Sequence, residues 1–338
     1  MKTYVGIDLH SNNSYFAVMS ETGERLFHKR YSNKKTDIMK ALDQVNKFGE
    51  IKRLAVESTY NWYWLVDGLM DHGYNAVLAN PTACAQQYSG LKYSDDKHDA
   101  FWLAHMRRLG ILPTGYIYPS EQRALRDLLR RRLQLVTFRA KQLTCIQMQI
   151  WRSSGVRIKS TEIRKKSFTI PFLDGALLQA AQANLTLLRT VESQIKQLEQ
   201  ELLDKLELAP EFNVLKTIKG VGDILALTIM LETGDIQRFA SVGQYASYCR
   251  CVKSTRMSNQ KQKGRGNSKS GNRYLSWAFS EAAHFAIRYD EIVNAFYQRK
   301  KAKTNGMIAV RAVAHKLARA AYCMMNNQTE YDSKRAFA

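Results

Sequence analysis

The order of strand and helix signals in the first hundred residues constrains this chain's fold more than any other feature. Three strand patterns come first, TYVGID, YFAVMS and RLFHKRYS, and SETGE supplies the turn between the second and third. Strands joined this tightly form an antiparallel meander. An amphipathic helix over TDIMKALDQVNKF follows, then a strand RLAVES and a helix NWYWLVDGLMDHG stopped by Gly73. A strand NAVLAN ended by Pro81 and a helix from about Asp96 complete the series.

Three strands followed by αβαβα is the order of an RNase H-like mixed sheet, and that order makes a prediction about acids. Asp8 ends the first strand and Glu57 ends the fourth. The two strands are neighbours in such a sheet, so both carboxylates leave adjacent carboxyl edges. Asp96 and Asp99, three apart in DKHDA, share one helix face and can join them. Asp95 rivals Asp96, because Asp95 and Asp99 are also one-face neighbours. Four close carboxylates repel unless cations are bound. Hard oxygen ligands suit Mg²⁺ or Mn²⁺, and two such ions about 3.5 to 4 Å apart stabilise the entering and leaving oxygens of a phosphodiester displacement. The plainer alternative is that the aspartates cap turns and the helical acids are solvated. Their joint placement on one edge favours a phosphoryl-transfer site.

The rest of the chain reads as helical and basic. Lys and Arg number 51 against 30 Asp and Glu, a formal charge of +21, which favours a polyanionic partner and nucleic acid first. The charge is clustered: residues 101–170 hold fifteen Lys or Arg against three acids, and no acid occurs from Ile236 to Ser280. From about Pro119 to Trp151 runs one long basic helix whose Arg123, Arg126, Arg130, Arg131, Arg132, Arg139 and Lys141 are candidates for nucleic-acid backbone contacts. Residues 173–208 place Leu178, Ala181, Leu185, Leu188, Val191, Ile195, Leu198 and Leu202 at spacings of three and four. This is a coiled-coil seam that either pairs with the first helix or dimerises. Gly220 and Gly222, in IKGVG between two helix patterns, suggest a helix-hairpin-helix whose glycine turn lets backbone N–H groups approach a phosphate.

The stretch STRMSNQKQKGRGNSKSGNRYL, residues 254–275, holds six Lys or Arg, four serines and three glycines. Its Lys261, Lys263, Arg265, Lys269 and Arg273 suit phosphate binding, and a serine among such cations has the surroundings that attack on a phosphodiester requires. Helices over about 272–288, 290–303 and 306–326 follow. The chain thus divides into an α/β domain over 1–118, a basic helix and coiled coil over 119–210 for dimerisation and nucleic-acid binding, and an all-α domain over 211–330.

Several other features read plainly. No run of about 18 apolar residues occurs and the N-terminus is a strand pattern, so a cytosolic protein without membrane contact is expected. The five cysteines are scattered with no CxxC pair and read as reduced. The seven histidines, His10 among them, lack ligand spacing and read as surface or core residues. Tyr60, Trp62, Tyr63 and Trp64 fit the core better than base stacking. GIDLHSNNSYFAV also matches the first phosphate loop of actin-like kinases, but the second Gly-rich domain of that class is missing from the sequence.

GIDLH with Asp8, AVES with Glu57, DxxDA over Asp96 to Ala100, IKGVG, and SNQKQKGRGNSKSGNRYLSWAF together resemble the DEDD-type insertion-sequence transposases, the IS110 family and its IS1111 branch. The likeness covers nearly the whole chain. It implies a RuvC-like domain, a coiled coil, and a C-terminal transposase domain whose serine forms a covalent phosphoserine with DNA. It implies further that Asp8, Glu57, Asp96 and Asp99 bind metal and that Ser258 is the nucleophile. Ser254 is the alternative, since CRCVKST lacks a proline that relatives often carry before the serine. Relatives are guided by a structured non-coding RNA from their own element, and build each site from the acids of one subunit and the serine of another. Dimers assembling into a tetramer are therefore expected. The competing enzyme class is a metal nuclease or junction resolvase that uses water as nucleophile; a non-catalytic nucleic-acid-binding protein is the third reading.

Overall fold

The computed structural model describes residues 1–87, 95–205, 209–253, 256–264 and 270–338. The chain forms two compact units, Met1–Ser120 and Glu121–Ala338.

The first unit runs β1 (Lys2–Leu9), β2 (Asn13–Ser20), β3 (Arg25–Ser32), α1 (Lys35–Asn46), β4 (Glu50–Glu57), α2 (Tyr63–Asp71), β5 (Ala76–Ala79), α3 (Pro81–Gln87), α4 (Asp96–Leu109) and β6 (Thr114–Gly115). The strands form one sheet in the order β3-β2-β1-β4-β5-β6. β1, β2 and β3 are antiparallel neighbours, β4 and β5 run parallel to β1, and β6 closes the edge antiparallel to β5. This mixed α/β arrangement agrees with the RNase H-like order expected from the sequence. β6, at two residues, is too short to leave a pattern.

β1 is buried from Thr3 to its end, because helices cover both of its faces. Val5, Ile7 and Leu9 pack on Ile38 and Leu42 of α1 and on Leu65 and Val66 of α2. On the other face α4 lies directly against the backbone of β1. A Cβ at Gly6 would stand 1.9 Å from the Ala100 carbonyl oxygen and 2.7 Å from the Ala104 nitrogen, so no larger residue fits without moving the helix. Ala17, Met19, Ala100, Phe101 and Ala104 fill the rest of that contact. The small residues of β1 and α4 thereby bring the first turn of α4 toward the end of β1.

The second unit runs α5 (Ser120–Ser154), α6 (Ser160–Ile163), α7 (Gly175–Lys205), α8 (Pro210–Lys216), α9 (Asp223–Thr233), α10 (Val242–Tyr248), β7 (Arg256–Ser258), β8 (Lys261–Gly264), α11 (Arg273–Tyr289), α12 (Glu291–Lys303), α13 (Gly306–Asn327) and α14 (Ser333–Phe337). Its main core gathers Phe212, Leu225, Tyr245, Phe279 and Leu317, and Leu129 of α5 and Leu202 of α7 reach into it. Farther along the long helices, Leu143, Ile146 and Ile150 meet Ile163, Leu185 and Leu188 in a second cluster. Asn184 donates to Gln149 at 3.1 Å and Arg132 Nε to Glu199 at 2.8 Å, so α5 and α7 run antiparallel. Ala181, Leu185, Leu188, Val191, Ile195 and Leu202 are buried within the single chain. The apolar stripe that pointed to either pairing or dimerisation is thus covered without a second subunit.

Candidate active site

β1 and β4 are parallel with Ile7 opposite Val56, so Asp8 and Glu57 come next on the same edge. Asp8 is 2 % exposed. Its own burial, then a side-chain hydrogen bond to Glu57 and the Glu57 charge, then the charges of Asp96 and Asp99, push its carboxyl from 3.8 up to about 9. Three of the four acids singled out in the sequence therefore act on the buried carboxyl of the fourth, Asp8. Asp8 Oδ1 is buried with no hydrogen-bond partner.

Asp95 is engaged differently: it caps α4, its side chain accepting from the His98 N–H at 2.7 Å. Asp96 instead faces Asp8 across His10, whose Nε2 lies 3.2 Å from Asp8 Oδ2 and 3.3 Å from Asp96 Oδ1. Arg30 Nη2 donates to Asp96 Oδ2 at 2.7 Å. Ligand atoms of Asp8, His10 and Asp96 lie within 4.8 Å of one another, a spacing at which they could hold an ion. His10 has no ligand-spaced neighbours in the sequence that would mark it for this site. Its signal was the two-residue step from Asp8, which keeps both side chains on one side of an extended segment. Arg30 gave no signal, because β2 lies between its strand and β1. The donor set of hard carboxylate oxygens around an orphaned acceptor fits a divalent cation.

Ser258 lies in a setting the sequence did not foretell. The basic stretch forms a hairpin in which β7 and β8 pair antiparallel with Ser258 opposite Lys261. Asn259 and Gln260 between them have φ of +47° and +59°, left-handed at both central positions as a type I′ turn requires. Ser258, Lys261 and Lys263 are exposed, while Ser254, Arg265 and Lys269 fall outside the described residues. The segment carrying Ser258 is clasped at its base. Arg250 Nε donates to the Gly271 carbonyl at 2.9 Å and the Asn272 N–H to the Tyr248 carbonyl at 2.6 Å. A Cβ at Gly271 would stand 2.4 Å from that Tyr248 oxygen, and its φ of +89° also favours glycine. Asn272 caps α11 and donates to Glu232 at 2.7 Å, and Arg130 grips Glu232 with two bonds of 2.6 and 2.7 Å.

Arg130 thus holds Glu232 inside the protein, Arg132 pairs with the half-buried Glu199, and Arg123 is buried. Arg126 is half-buried, whereas Arg131, Lys141 and Arg273 are exposed. Gly220 has φ +88°, and a Cβ there would meet Phe285 Cβ at 2.4 Å, so packing against α11 already requires glycine. Gly222 has open space on that side. Arg139 lines a groove of about 650 Å³ with Arg164, Lys165, Lys166, Arg189 and Lys196. Burial, and then the neighbouring Arg164 charge, pull the Arg139 guanidinium below its ordinary value. The groove's two acids are already paired, Glu192 with Arg164 and Glu199 with Arg132. A cavity of about 450 Å³ between α13 and the C-terminal residues contains none of the site residues expected from the sequence.

Residues 5–149 match the profile of a transposase family named for DEDD and IS110, and residues 212–298 match that of the transposase IS116/IS110/IS902 family. The chain is similar to y4qE of Sinorhizobium fredii, a protein that carries the name of a transposase. The two are 25% identical over 295 residues, 85% of this chain and 72% of that one. It is also similar to a 43.6 kDa protein of insertion element IS110 from Streptomyces coelicolor, 27% identical over 149 residues, 44% of this chain and 36% of that one. Both halves of the sequence thus lead to one group of enzymes that act on DNA, and the chain belongs to the IS110 family of transposases.

Proposed function

We propose that this transposase cuts and exchanges DNA strands through a covalent phosphoserine on Ser258, assisted by divalent cations held by Asp8, Glu57, Asp96 and Asp99. One observation carries the reading: three acids converge on the buried carboxyl of Asp8, whose Oδ1 has no donor. Such a cluster is stable only when protonated or when cations fill it. Two Mg²⁺ or Mn²⁺ ions, when bound, supply positive charge to the entering and leaving oxygens of a phosphodiester displacement.

Ser258 performs the covalent step. A bond from its Oγ to phosphorus forms as one phosphorus–oxygen bond to a deoxyribose breaks. The serine proton passes to solvent, and the leaving sugar oxygen takes a proton from water. Attack by a sugar hydroxyl of a second strand then reverses the step, joins the strands and restores the serine. Lys261 opposite Ser258, and Lys263 in the same short strand, favour the alkoxide and hold phosphate oxygens.

The basic groove of the second unit, with Arg131, Lys141 and Arg273, binds nucleic-acid backbone in this reading, and the Gly220–Gly222 turn serves as a helix-hairpin-helix. The excess of cations over acids in the lining around Arg139 supports the groove assignment. Guidance by an RNA encoded in the element, a coiled coil, and dimers joined as a tetramer belong to the same reading and are supported by the family resemblance.

The test is a covalent adduct. Protein purified with its RNA and incubated with element-end DNA and Mg²⁺ should yield a protein–DNA species that survives denaturation. Ser258→Ala should yield none while still binding DNA. Cutting that persists in Ser258→Ala would sink the serine step and leave a metal nuclease or junction resolvase that uses water.

A further inference from the structure

We propose that His10 is a direct nitrogen ligand of the cation at Asp8 and Asp96, and that it shifts this site from Mg²⁺ toward first-row transition-metal dications. The proposal rests on the acid cluster being a cation site. His10 Nε2 is 3.2 Å from Asp8 Oδ2 and 3.3 Å from Asp96 Oδ1, yet it is a buried atom that makes no hydrogen bond. Adjacent ligands of an octahedral ion with bonds of 2.0–2.1 Å stand about 3 Å apart, close to both separations.

The ring is also held at its root. The His10 carbonyl accepts from Asn33 Nδ2 at 2.8 Å and Asn61 Nδ2 at 3.1 Å, and its N–H donates to the Asn13 carbonyl at 2.9 Å. These three residues come from β2, from the position just after β3 and from the segment after β4, so the sheet edge that orients Asp8 orients His10 with it. Such anchoring of a residue beside a ligand is what a site needs to fix coordination geometry. Oxygen-only sites suit Mg²⁺, whereas imidazole favours the transition metals.

Calorimetric titration of the full protein with Co²⁺ and with Mg²⁺ tests this on wild type, His10→Ala and His10→Gln. Wild type should bind Co²⁺ more tightly than Mg²⁺. Both variants should lose Co²⁺ affinity by about tenfold or more while Mg²⁺ affinity changes by less than about threefold. Spin-echo spectra of bound Mn²⁺ should show nitrogen modulation in wild type and none in His10→Gln, which retains an oxygen donor if His10→Ala misfolds. Equal losses for both metals, unchanged affinities, or nitrogen modulation that survives the substitution would overturn the proposal. If wild type binds none of these ions, the cation-site reading itself fails.

Discussion

Asp8 stands at the end of a strand buried on both faces, with helices and neighbouring strands fixing every group around it. Ser258 is exposed at the end of a three-residue strand whose pairing partner within its sheet is β8 alone. The first position is set by packing, since α4 rests on the backbone at Gly6. The second is set at the root, where Arg250, Gly271 and Asn272 bring the two ends of the segment together. A lone two-stranded hairpin is marginal in water. Carboxylates that repel one another need a frame that cannot relax. The proposed nucleophile, which has to meet a DNA strand, can ride on a hairpin, provided its base is anchored.

The anchor is where the contrast breaks most visibly. Glu232, 1 % exposed, joins Arg130 to Asn272, so Glu232→Gln leaves a partly buried guanidinium without its counter-charge. Unfolding of the second unit should become easier by about 3–5 kcal/mol in a denaturant titration. Adduct formation should fall with it, while cation binding by the first unit stays unchanged. Loss of both together would show that the two regions are not independently built.

A smaller effect sharpens the assignment of the groove. Replacing Lys165, Lys166 and Lys196 by Ala should weaken binding to nonspecific duplex DNA and to an RNA hairpin. The slope of log affinity against log salt should fall by about 2 to 3 for duplex. An unchanged slope would remove the groove from the nucleic-acid surface. If only one of the two probes loses affinity, that probe identifies the ligand.

The smallest effect lies in the turn. Gln260 holds φ of +59°, which costs an L-residue about 1 kcal/mol that glycine does not pay. Gln260→Gly should therefore slow amide exchange in the Ser258–Lys261 turn. Faster exchange would mean that the turn is held by side-chain contacts instead.

How much of this was legible in the sequence follows the same division. The five longer strands and the long helices carry periodic patterns, and strand order then placed Asp8 beside Glu57. His10 was missed because the fold, rather than a ligand-spaced motif, brings it to Asp96. Arg130 and Arg132 pair with Glu232 and Glu199, and because these partners lie 102 and 67 residues away the pairing leaves no local pattern. The hairpin was hidden because Asn259-Gln260 lacks the glycine that usually marks a type I′ turn. The antiparallel partner of the leucine stripe was one of two alternatives that spacing could not separate.

Asp8 offers the most direct test of the proposed cation site at the acid edge. With its carboxyl raised from 3.8 to about 9, this group's contribution to the stability of the ion-free protein is full below about pH 4 and is lost as pH rises through about 9. A bound dication displaces the retained proton, so affinity should tighten with rising pH up to about 9. The measurement is a calorimetric titration of Mn²⁺ at pH 7 in two buffers of different ionisation heat, on wild type and Asp8→Asn. The two wild-type heats should differ by about one released proton, and Asp8→Asn should not bind. Buffer-independent heats, or full binding by Asp8→Asn, would contradict it.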